Sequence, residues 1–345
     1  MIIKFAPLLF LFVFSQVNAQ QYHFEADKLP QDMTCRAVDA WNDQIFWVGG
    51  DQFRVAHTYD GGRTWKVDTL IPPGEYEQPL QYRAIELLDD STVLVLSAGS
   101  PGVLWKTNDA GQHWRIVWQE DHPGMFMDAI AFNEQGFGWM FGDPFDGAFA
   151  IFRSIDRGEN WNRIEPGLLP QAKDGEGGFA ASDQLIAFNG PCTFIATSGE
   201  NNRILRTRDQ GESWDWVSSP ISKKGPMAGP MAIGFKDEKT GFMVGGNWEQ
   251  PNDNTQSMAR TFDGGATWVN FMPSDNPGHR SSLAFLPGGN DEYNMIVAGR
   301  KGVDLFFNGT WTPVSELAYY TIIPIPGSSK YLLTGPGIWA LLTWN

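Results

Sequence analysis

The chain has 345 residues and a formal net charge of −15, with 25 Lys and Arg against 40 Asp and Glu. An acidic surface repels nucleic acid and anionic lipid, so neither is expected as a partner. Aromatic residues make up 14% of the chain and accompany 38 Gly and 22 Pro. This combination is typical of short strands joined by tight turns.

Residues 1–19 have the pattern of a signal peptide. Lys4 precedes a continuous apolar run, and the stretch from Val17 to Ala19 is an acceptable cleavage site. We predict cleavage after Ala19, which leaves 20–345 as one exported domain, periplasmic or extracellular. The alternative is an uncleaved anchor. The apolar run is too short for a comfortable membrane span, and no later segment is apolar enough, so no membrane insertion is expected.

Five copies of a short motif recur roughly every 50 residues, which indicates a repeat architecture. Each copy reads Thr or Ser, any residue, Asp, any residue, Gly, two further residues and Trp. The copies occupy 58–65, 107–114, 154–161, 207–214 and 261–268.

An apolar stretch that ends in a small residue or Gly precedes each motif, and it occurs seven times. The seven copies are 45–50, 93–99, 137–142, 194–199, 241–246, 295–299 and 331–335. With the apolar stretches around them, they predict units of four short strands, the blades of an all-β propeller. We predict seven antiparallel blades, with six as the alternative. The last unit lacks a fourth strand, so we expect 22–26 to supply it and close the ring.

The motif has the chemistry of a turn. Its Asp can accept hydrogen bonds from nearby backbone N–H groups, its Gly permits positive φ, and its Trp buries a large ring and can donate its N–H to a carbonyl. We therefore interpret the five aspartates as structural rather than as metal ligands or acids. The five histidines have no metal-ligand spacing, and no cofactor or metal is expected. The aspartates are Asp60, Asp109, Asp156, Asp209 and Asp263.

The two cysteines, Cys35 and Cys192, fall in the first and fourth units. In a closed ring these units lie on opposite sides, so a disulfide is not expected even in an exported chain. We predict two buried free thiols.

The repeated motif resembles the Asp-box (BNR) repeats of sialidases and other propellers. The whole unit resembles the propellers of the photosystem II assembly factor family (Ycf48/HCF136-like) over 35–345. This resemblance implies a scaffold or chaperone-like role for another exported or membrane protein. The motif itself predicts fold rather than activity, because unrelated activities share it.

In a propeller, the connections from second to third strands share one face with those between blades, and the boxes lie on the opposite face. We call these the long-loop face and the box face. The longest connections, 71–80, 166–182, 218–230 and 247–256, fall on the long-loop face, where binding is expected. Its candidate residues are Arg36, Arg83, Asp128, Arg280 and Tyr320 at first-strand starts, and Asp51, Ser100, Asp143, Glu200, Asn247 and Arg300 in loops.

Three of these candidates, Arg36, Arg83 and Arg280, could grip a carboxylate or phosphate through paired N–H donors. Alternatively, they form an internal charge network with aspartates of the same face, namely Asp51, Asp128 and Asp143.

The likeness to sialidases implies a second interpretation, glycoside hydrolysis. The three arginines would hold a substrate carboxylate, Tyr319 or Tyr320 would be the nucleophile, and Asp51 or Asp143 the acid. The Phe-Arg-Ile-Pro signature of that family is absent, and no Glu is convincingly placed beside either tyrosine. We therefore favour a non-catalytic, monomeric scaffold that binds a protein or glycan on its long-loop face.

Overall fold

The alternating apolar stretches of the sequence form thirty β-strands in the computed structural model, which describes residues 22–288 and 293–345. The predicted signal peptide lies outside these residues. Seven four-stranded antiparallel sheets are the blades of a propeller, which confirms the predicted fold class and blade number. Within the described ranges, the helices are single 3-10 turns at Pro30–Asp32 and Pro166–Leu168, and none could cross a membrane.

The strands of each blade follow one another from the channel outward. Blade 1 comprises β2 (Ala37–Ala40), β3 (Phe46–Gly49), β4 (Arg54–Thr58) and β5 (Lys66–Thr69). Blade 2 comprises β6 (Gln81–Leu87), β7 (Val93–Ala98), β8 (Gly102–Thr107) and β9 (Arg115–Glu120). Blade 3 comprises β10 (Met127–Phe132), β11 (Gly138–Phe145), β12 (Ala148–Ser154) and β13 (Asn162–Arg163). Blade 4 comprises β15 (Ile186–Asn189), β16 (Cys192–Ala196), β18 (Arg203–Thr207) and β19 (Asp215–Ser218). Blade 5 comprises β20 (Ala228–Phe235), β21 (Gly241–Asn247), β22 (Met258–Thr261) and β23 (Val269–Asn270). Blade 6 comprises β24 (Ser282–Phe285), β25 (Met295–Gly299), β26 (Gly302–Phe307) and β27 (Thr310–Ser315). Blade 7 comprises β28 (Thr321–Pro324), β29 (Lys330–Thr334), β30 (Ile338–Trp344) and, outermost, β1 (Tyr22–Lys28). A small separate sheet pairs β14 (Glu176–Gly177) with β17 (Ser198–Gly199).

The N-terminal strand closes the ring, as predicted. β1 pairs antiparallel with β30 from Tyr22 opposite Trp344 to Lys28 opposite Ile338, two residues further than the sequence suggested. The first strands of neighbouring blades contact one another around the whole circle, including β28 with β2. The ring is therefore closed by main-chain pairing between the two ends of the described chain.

Each Asp-box is a hydrogen-bonded turn between a third and a fourth strand. In the first box, Thr58 donates its hydroxyl to Asp60 Oδ1 at 2.7 Å, and the backbone N–H of Thr64 donates to the same oxygen at 2.8 Å. The other four boxes repeat both bonds. The boxes also bond to first-to-second-strand connections, for example from Gly61 N to Gln44 O at 2.9 Å. The boxes therefore share one face of the propeller with the first-to-second-strand connections, opposite the long-loop face.

The box glycine lets one blade approach the preceding one. Gly62 has a φ of 88° and Gly111 a φ of 79°, a region that side chains resist. A Cβ atom on Gly62 would lie 2.1 Å from the Trp339 ring, and one on Gly111 would lie 2.8 Å from the Trp47 ring. The box therefore contributes to packing between blades as well as to its own turn.

The hydrogen bond expected from the indole N–H of the box tryptophan forms in one of the five boxes. Only Trp161 donates its indole N–H to a carbonyl, that of Gly158 at 3.3 Å. In the described chain, the other four indole N–H groups are buried without an acceptor. The rings instead pack edge-on against aromatic neighbours, as Trp114 does against Trp47 at 5.8 Å. Ring packing, rather than N–H donation, is the common role of this position.

Hydrogen bonding makes the box carboxylates a source of acid lability. Bonds from Thr64 and Thr58 lower the pKa of Asp60 to about 2, and equivalent bonds lower the pKa of Asp109 and Asp209 to about 2. A folded-state pKa below the unfolded value stabilises the fold above about pH 4, and this contribution is lost as pH falls through 2. Asp60→Asn should therefore be less stable than wild type at pH 7 and equal to it near pH 2.

Urea unfolding at several pH values would check this expectation. Asp90→Asn, an exposed aspartate outside the boxes, is the matched control and should have no effect at either pH. A difference between Asp60→Asn and wild type that persists unchanged at pH 2 would contradict the assignment.

Both cysteines are free, as predicted, but only Cys35 is buried. Burial raises the pKa of the Cys35 thiol well above its usual value. Cys192 is half-buried, contrary to the prediction. It begins β16 opposite Asn189, next to the hairpin turn at the end of the blade, and packs only partly against the core.

Candidate functional site

A chain segment crosses the central channel. This segment, 178–184, follows β14, and we call it the plug. Asp183 accepts the backbone N–H of Ile85 at Oδ2 and that of Ile130 at Oδ1, both at 2.8 Å. On the opposite side Gln184 bonds to the main chain of Leu283 and Ile322. The plug thus satisfies edge groups of four first strands that would otherwise face an open channel.

Carboxyl groups line the channel beside the plug. Asp39 accepts the N–H of Leu87 at 2.7 Å, and Glu86 accepts that of Phe132 at 3.1 Å, each from the next blade. Burial raises the pKa of Asp39 to about 6. Burial and then the neighbouring charge of Asp39 raise the pKa of Glu86, and burial raises that of Asp183. The channel interior is therefore lined by carboxyl groups that stay protonated to higher pH than usual.

A buried ion pair anchors the base of the plug. Arg203 donates from Nε to Glu176 Oε1 at 2.8 Å and from Nη2 to Oε2 at 2.9 Å. The Glu176 side chain is 0% exposed and that of Arg203 is 5% exposed. Thr197 adds a hydroxyl donor to Glu176 at 2.7 Å. The ion pair joins β14 to blade 4 immediately before the chain turns into the channel.

Arginine and aromatic side chains meet where the channel opens on the long-loop face. We call the group Arg36, Arg83, Trp248, Arg300 and Tyr320 the arginine mouth. The Arg36 guanidinium lies 4.0 Å from the centre of the Tyr320 ring and 5.5 Å from that of Trp248. Arg300 lies 4.8 Å from the Trp248 ring and donates to its carbonyl at 2.9 Å. Planar guanidinium groups on aromatic faces are held in fixed orientations.

A small cavity of about 110 Å³ opens between these arginines and the plug. Apolar side chains form its floor, and two of its wall residues are positively charged. Its lining is Arg36, Arg83, Phe179, Ala180, Ala181, Met227, Met231 and Trp248.

Three side chains near this opening lie at local β-bulges. The pairing register shifts at Arg83 in β6, at Asp128 in β10 and at Met231 in β20. A bulge leaves one residue unpaired and re-aims its side chain. The same backbone device in three blades thus places a cation, a carboxyl group and an apolar side chain near the channel.

The arginine mouth lacks negative charge. Among the described residues, no carboxylate lies within ion-pair distance of Arg36, Arg83 or Arg300. Arg83 donates instead to the neutral Gln81 Oε1, at 2.9 Å from Nε and 2.6 Å from Nη2. Burial and then the charge of Arg36 lower the pKa of Arg83 to about 10. An anion placed here would relieve both effects.

The third predicted arginine does not join the other two. Arg280 is buried in an ion pair with Asp304, with Nε 2.9 Å from Oδ2, and it also donates to the carbonyls of Pro277 and His279. It precedes β24, and the carboxylate of Asp304 on β26 holds its guanidinium. Arg300 occupies the mouth instead. The predicted triad of Arg36, Arg83 and Arg280 is therefore wrong in its third member.

Two predicted aspartates lie beside the cavity. Asp143 accepts the N–H of Gly178 at 2.8 Å and so holds the start of the plug. Asp128 is 1% exposed. Burial and then the charge of Asp143 raise its pKa well above the usual value, and Arg83 opposes the shift. The predicted alternative, an internal charge network, is present only in part, in that the charges of Asp143 and Arg83 act on the pKa of Asp128.

The remaining candidates lie apart from the cavity. Asp51 forms an ion pair with Arg54 at 2.5 Å. Asn247 is buried, donating to Lys224 O and accepting from Glu249 N. Ser100 donates to His122 O at 3.1 Å. Glu200 is exposed.

Several residues of the site were not among the predicted candidates. Trp248 and Met227 lie in two of the long connections predicted to form the binding face, and Phe179 lies in a third. Loop length therefore pointed to the right segments. Nothing in the sequence distinguished the members of each loop that reach the channel.

A family model supports the likeness to one group of propellers. Residues 16–128, about a third of the chain, match the model described as photosynthesis system II assembly factor YCF48. This chain resembles the YCF48 family. Comparison with curated proteins gave no significant match.

Solved structures share the fold over nearly the whole chain. A structure titled YCF48 bound to D1 peptide has a TM-score of 0.63 at 17% identity, covering 93% of this chain and 97% of its own. YCF48 from Cyanidioschyzon merolae has a TM-score of 0.65 at 16% identity, covering 93% and 98%. The WD40 propeller of Doa1 reaches 0.63 at 10% identity, covering 94% and 97%. At these identities the likeness concerns the fold.

Proposed function

We propose that this chain is a non-catalytic scaffold that binds a carboxylate-bearing protein segment at the arginine mouth, in the manner of an assembly factor. The observation that carries the proposal is the set of three half-buried arginines without a carboxylate partner, in a protein rich in acidic residues. Guanidinium groups on a rigid aromatic support are suited to bidentate carboxylate binding.

The size of the cavity favours a peptide end over a sugar. Small-molecule sites usually enclose about 300–1,000 Å³, whereas this cavity encloses about 110 Å³. That volume suits one small group of a longer ligand lying across the long-loop face. The apolar floor contributed by Phe179 and Met227 suits a short aliphatic side chain next to the carboxylate.

The resemblance to YCF48 supports a protein partner, since one such structure contains a bound peptide. The exported location is part of the proposal and rests on residues 1–19. Sequencing the N-terminus of the protein recovered from its native cells would test it, with Gln20 as the expected first residue.

No observation specifically favours glycoside hydrolysis. Tyr320 lies under the Arg36 guanidinium rather than beside a glutamate. Tyr319 is a buried core residue that packs edge-on against Phe24. Of the proposed acids, Asp51 is paired with Arg54 and Asp143 with the plug backbone.

Peptide arrays would test the proposed binding. The probe is a set of decapeptides with free C-terminal carboxylates and the same sequences as C-terminal amides, with sialylated and uronate oligosaccharides alongside. We expect the free acids to bind better. The double variant Arg36→Met/Arg83→Met should weaken their binding by at least about 100-fold, since each charged hydrogen-bonding group typically contributes about 1.5–3 kcal/mol.

Arg63→Met is the matched control, because Arg63 is an exposed arginine of the box face in blade 1. It should bind as wild type does. Equal binding of acids and amides, or preferential capture of oligosaccharides, would overturn the proposal.

A further inference from the structure

Beside the arginine mouth lies the buried carboxyl group of Asp128, and its contacts do not show a structural role for it. Asp128 is 1% exposed, and among the described residues no hydrogen bond of good geometry reaches either of its oxygens. The backbone N–H of Ala180 lies near enough to lower the pKa of Asp128, against the larger effect of burial. Buried carboxylates are normally paired, because an unpartnered charge in the interior is costly.

The surroundings of Asp128 are tight and charged. A Cβ atom on Gly178 would lie 2.2 Å from Asp128 Oδ2, so the carboxyl group lies directly against the plug backbone. Its charged neighbours are Asp143 on β11 and Arg83 on β6. Asp128 and Arg83 occupy equivalent bulges in adjacent blades, whose first strands are in contact.

The two charged neighbours of Asp128 shift its protonation in opposite directions. The Asp143 carboxylate favours a neutral Asp128, as burial does. An ionised Asp128 would attract the nearby Arg83 guanidinium, which donates to the neutral Gln81 in this structure. Arg83 is also one of the two arginines that line the cavity.

We propose that Asp128 is a positioning residue for Arg83: neutral Asp128 leaves the guanidinium free for the ligand carboxylate, and ionised Asp128 competes with the ligand for it. This inference rests on the proposed function. It assigns a regulatory role to a residue that does not line the cavity.

The direction of the pH effect follows from linkage. A bound anion beside Arg83 favours the protonated form of Asp128, so binding takes up a proton. Affinity should therefore fall as pH rises through the raised pKa of Asp128, by at most tenfold per pH unit. Protonation of a ligand carboxylate would affect binding only at more acidic pH, near 4.

The test measures binding of the best free-acid decapeptide between pH 5.5 and 8.5. Wild type should lose affinity as pH rises, whereas Asp128→Asn, which mimics the neutral form, should bind with little pH dependence. Asp143→Asn keeps an acceptor for Gly178 and should shift the midpoint of the wild-type profile toward lower pH. A flat wild-type profile, or an unchanged slope in Asp128→Asn, would overturn the inference while leaving carboxylate binding intact.

A second measurement does not depend on the peptide. Carboxyl-carbon NMR of the ligand-free protein should show one aspartate resonance, absent from Asp128→Asn, that titrates far above the usual aspartate range. Titration of that resonance near pH 4 would overturn the inference. Failure of every peptide to bind would instead count against the proposed function.

Discussion

Deletion of β1 should remove cooperative folding of the propeller or lower its melting temperature by at least about 10 °C. The deletion removes seven register pairs with β30 and exposes the edge of that strand. It also removes Tyr22 and Phe24, which pack on the core of blades 6 and 7. At about 1 kcal/mol for each net hydrogen bond, the loss amounts to several kcal/mol.

A transplanted strand provides the control. Because Tyr22 lies opposite Trp344, residues 22–28 can be moved behind Asn345 through an Asn-Gly turn to form a hairpin with β30. This variant should recover most of the lost stability as judged by thermal unfolding. A simple deletion that melts like wild type would show that ring closure by β1 contributes little.

Removal of one partner of the buried Glu176–Arg203 ion pair should cost about 3–5 kcal/mol, because it leaves an uncompensated charge in the interior. Arg203→Met is the cleaner single change, since Glu176 also accepts from Thr197. Urea unfolding should show the loss. The plug that follows Glu176 forms the floor of the arginine mouth, so affinity for the free-acid peptide should fall as well.

The double variant Glu176→Met/Arg203→Met should be substantially more stable than Arg203→Met alone, because both charges are then absent. Lys224→Met is the comparison, since its pair with Asp253 is exposed at 58% and 24% and should contribute at most about 1 kcal/mol. A double variant whose cost equals the sum of the two single changes would contradict this account.

The fold could be predicted because its determinants are local and repeated. The box signals a turn within eight residues, and seven apolar stretches of similar spacing indicate seven blades. Even ring closure was predictable, since the last unit lacked a strand and the stretch from Tyr22 could supply one.

The site was only partly predictable because it depends on register and on contacts between distant parts of the chain. Arg83 lies at a bulge and lines the cavity, whereas Arg280 is held by the distant Asp304. Both are arginines near a first-strand start, so sequence spacing alone could not separate them. Asp183 of the plug accepts hydrogen bonds from strands about 50 and 100 residues earlier in the chain, and no local sequence pattern reveals such contacts.

Positive charge lies at one end of the propeller axis only. Cations lie at the opening on the long-loop face, and Asp39, Glu86 and Asp183 lie further in. An acidic chain that approaches from the long-loop side is drawn to the positively charged rim, whereas the buried carboxyls beyond it, whose pKa values are raised, offer it no attraction. The charge at one end of the axis therefore selects that end for an acidic partner, without any moving part.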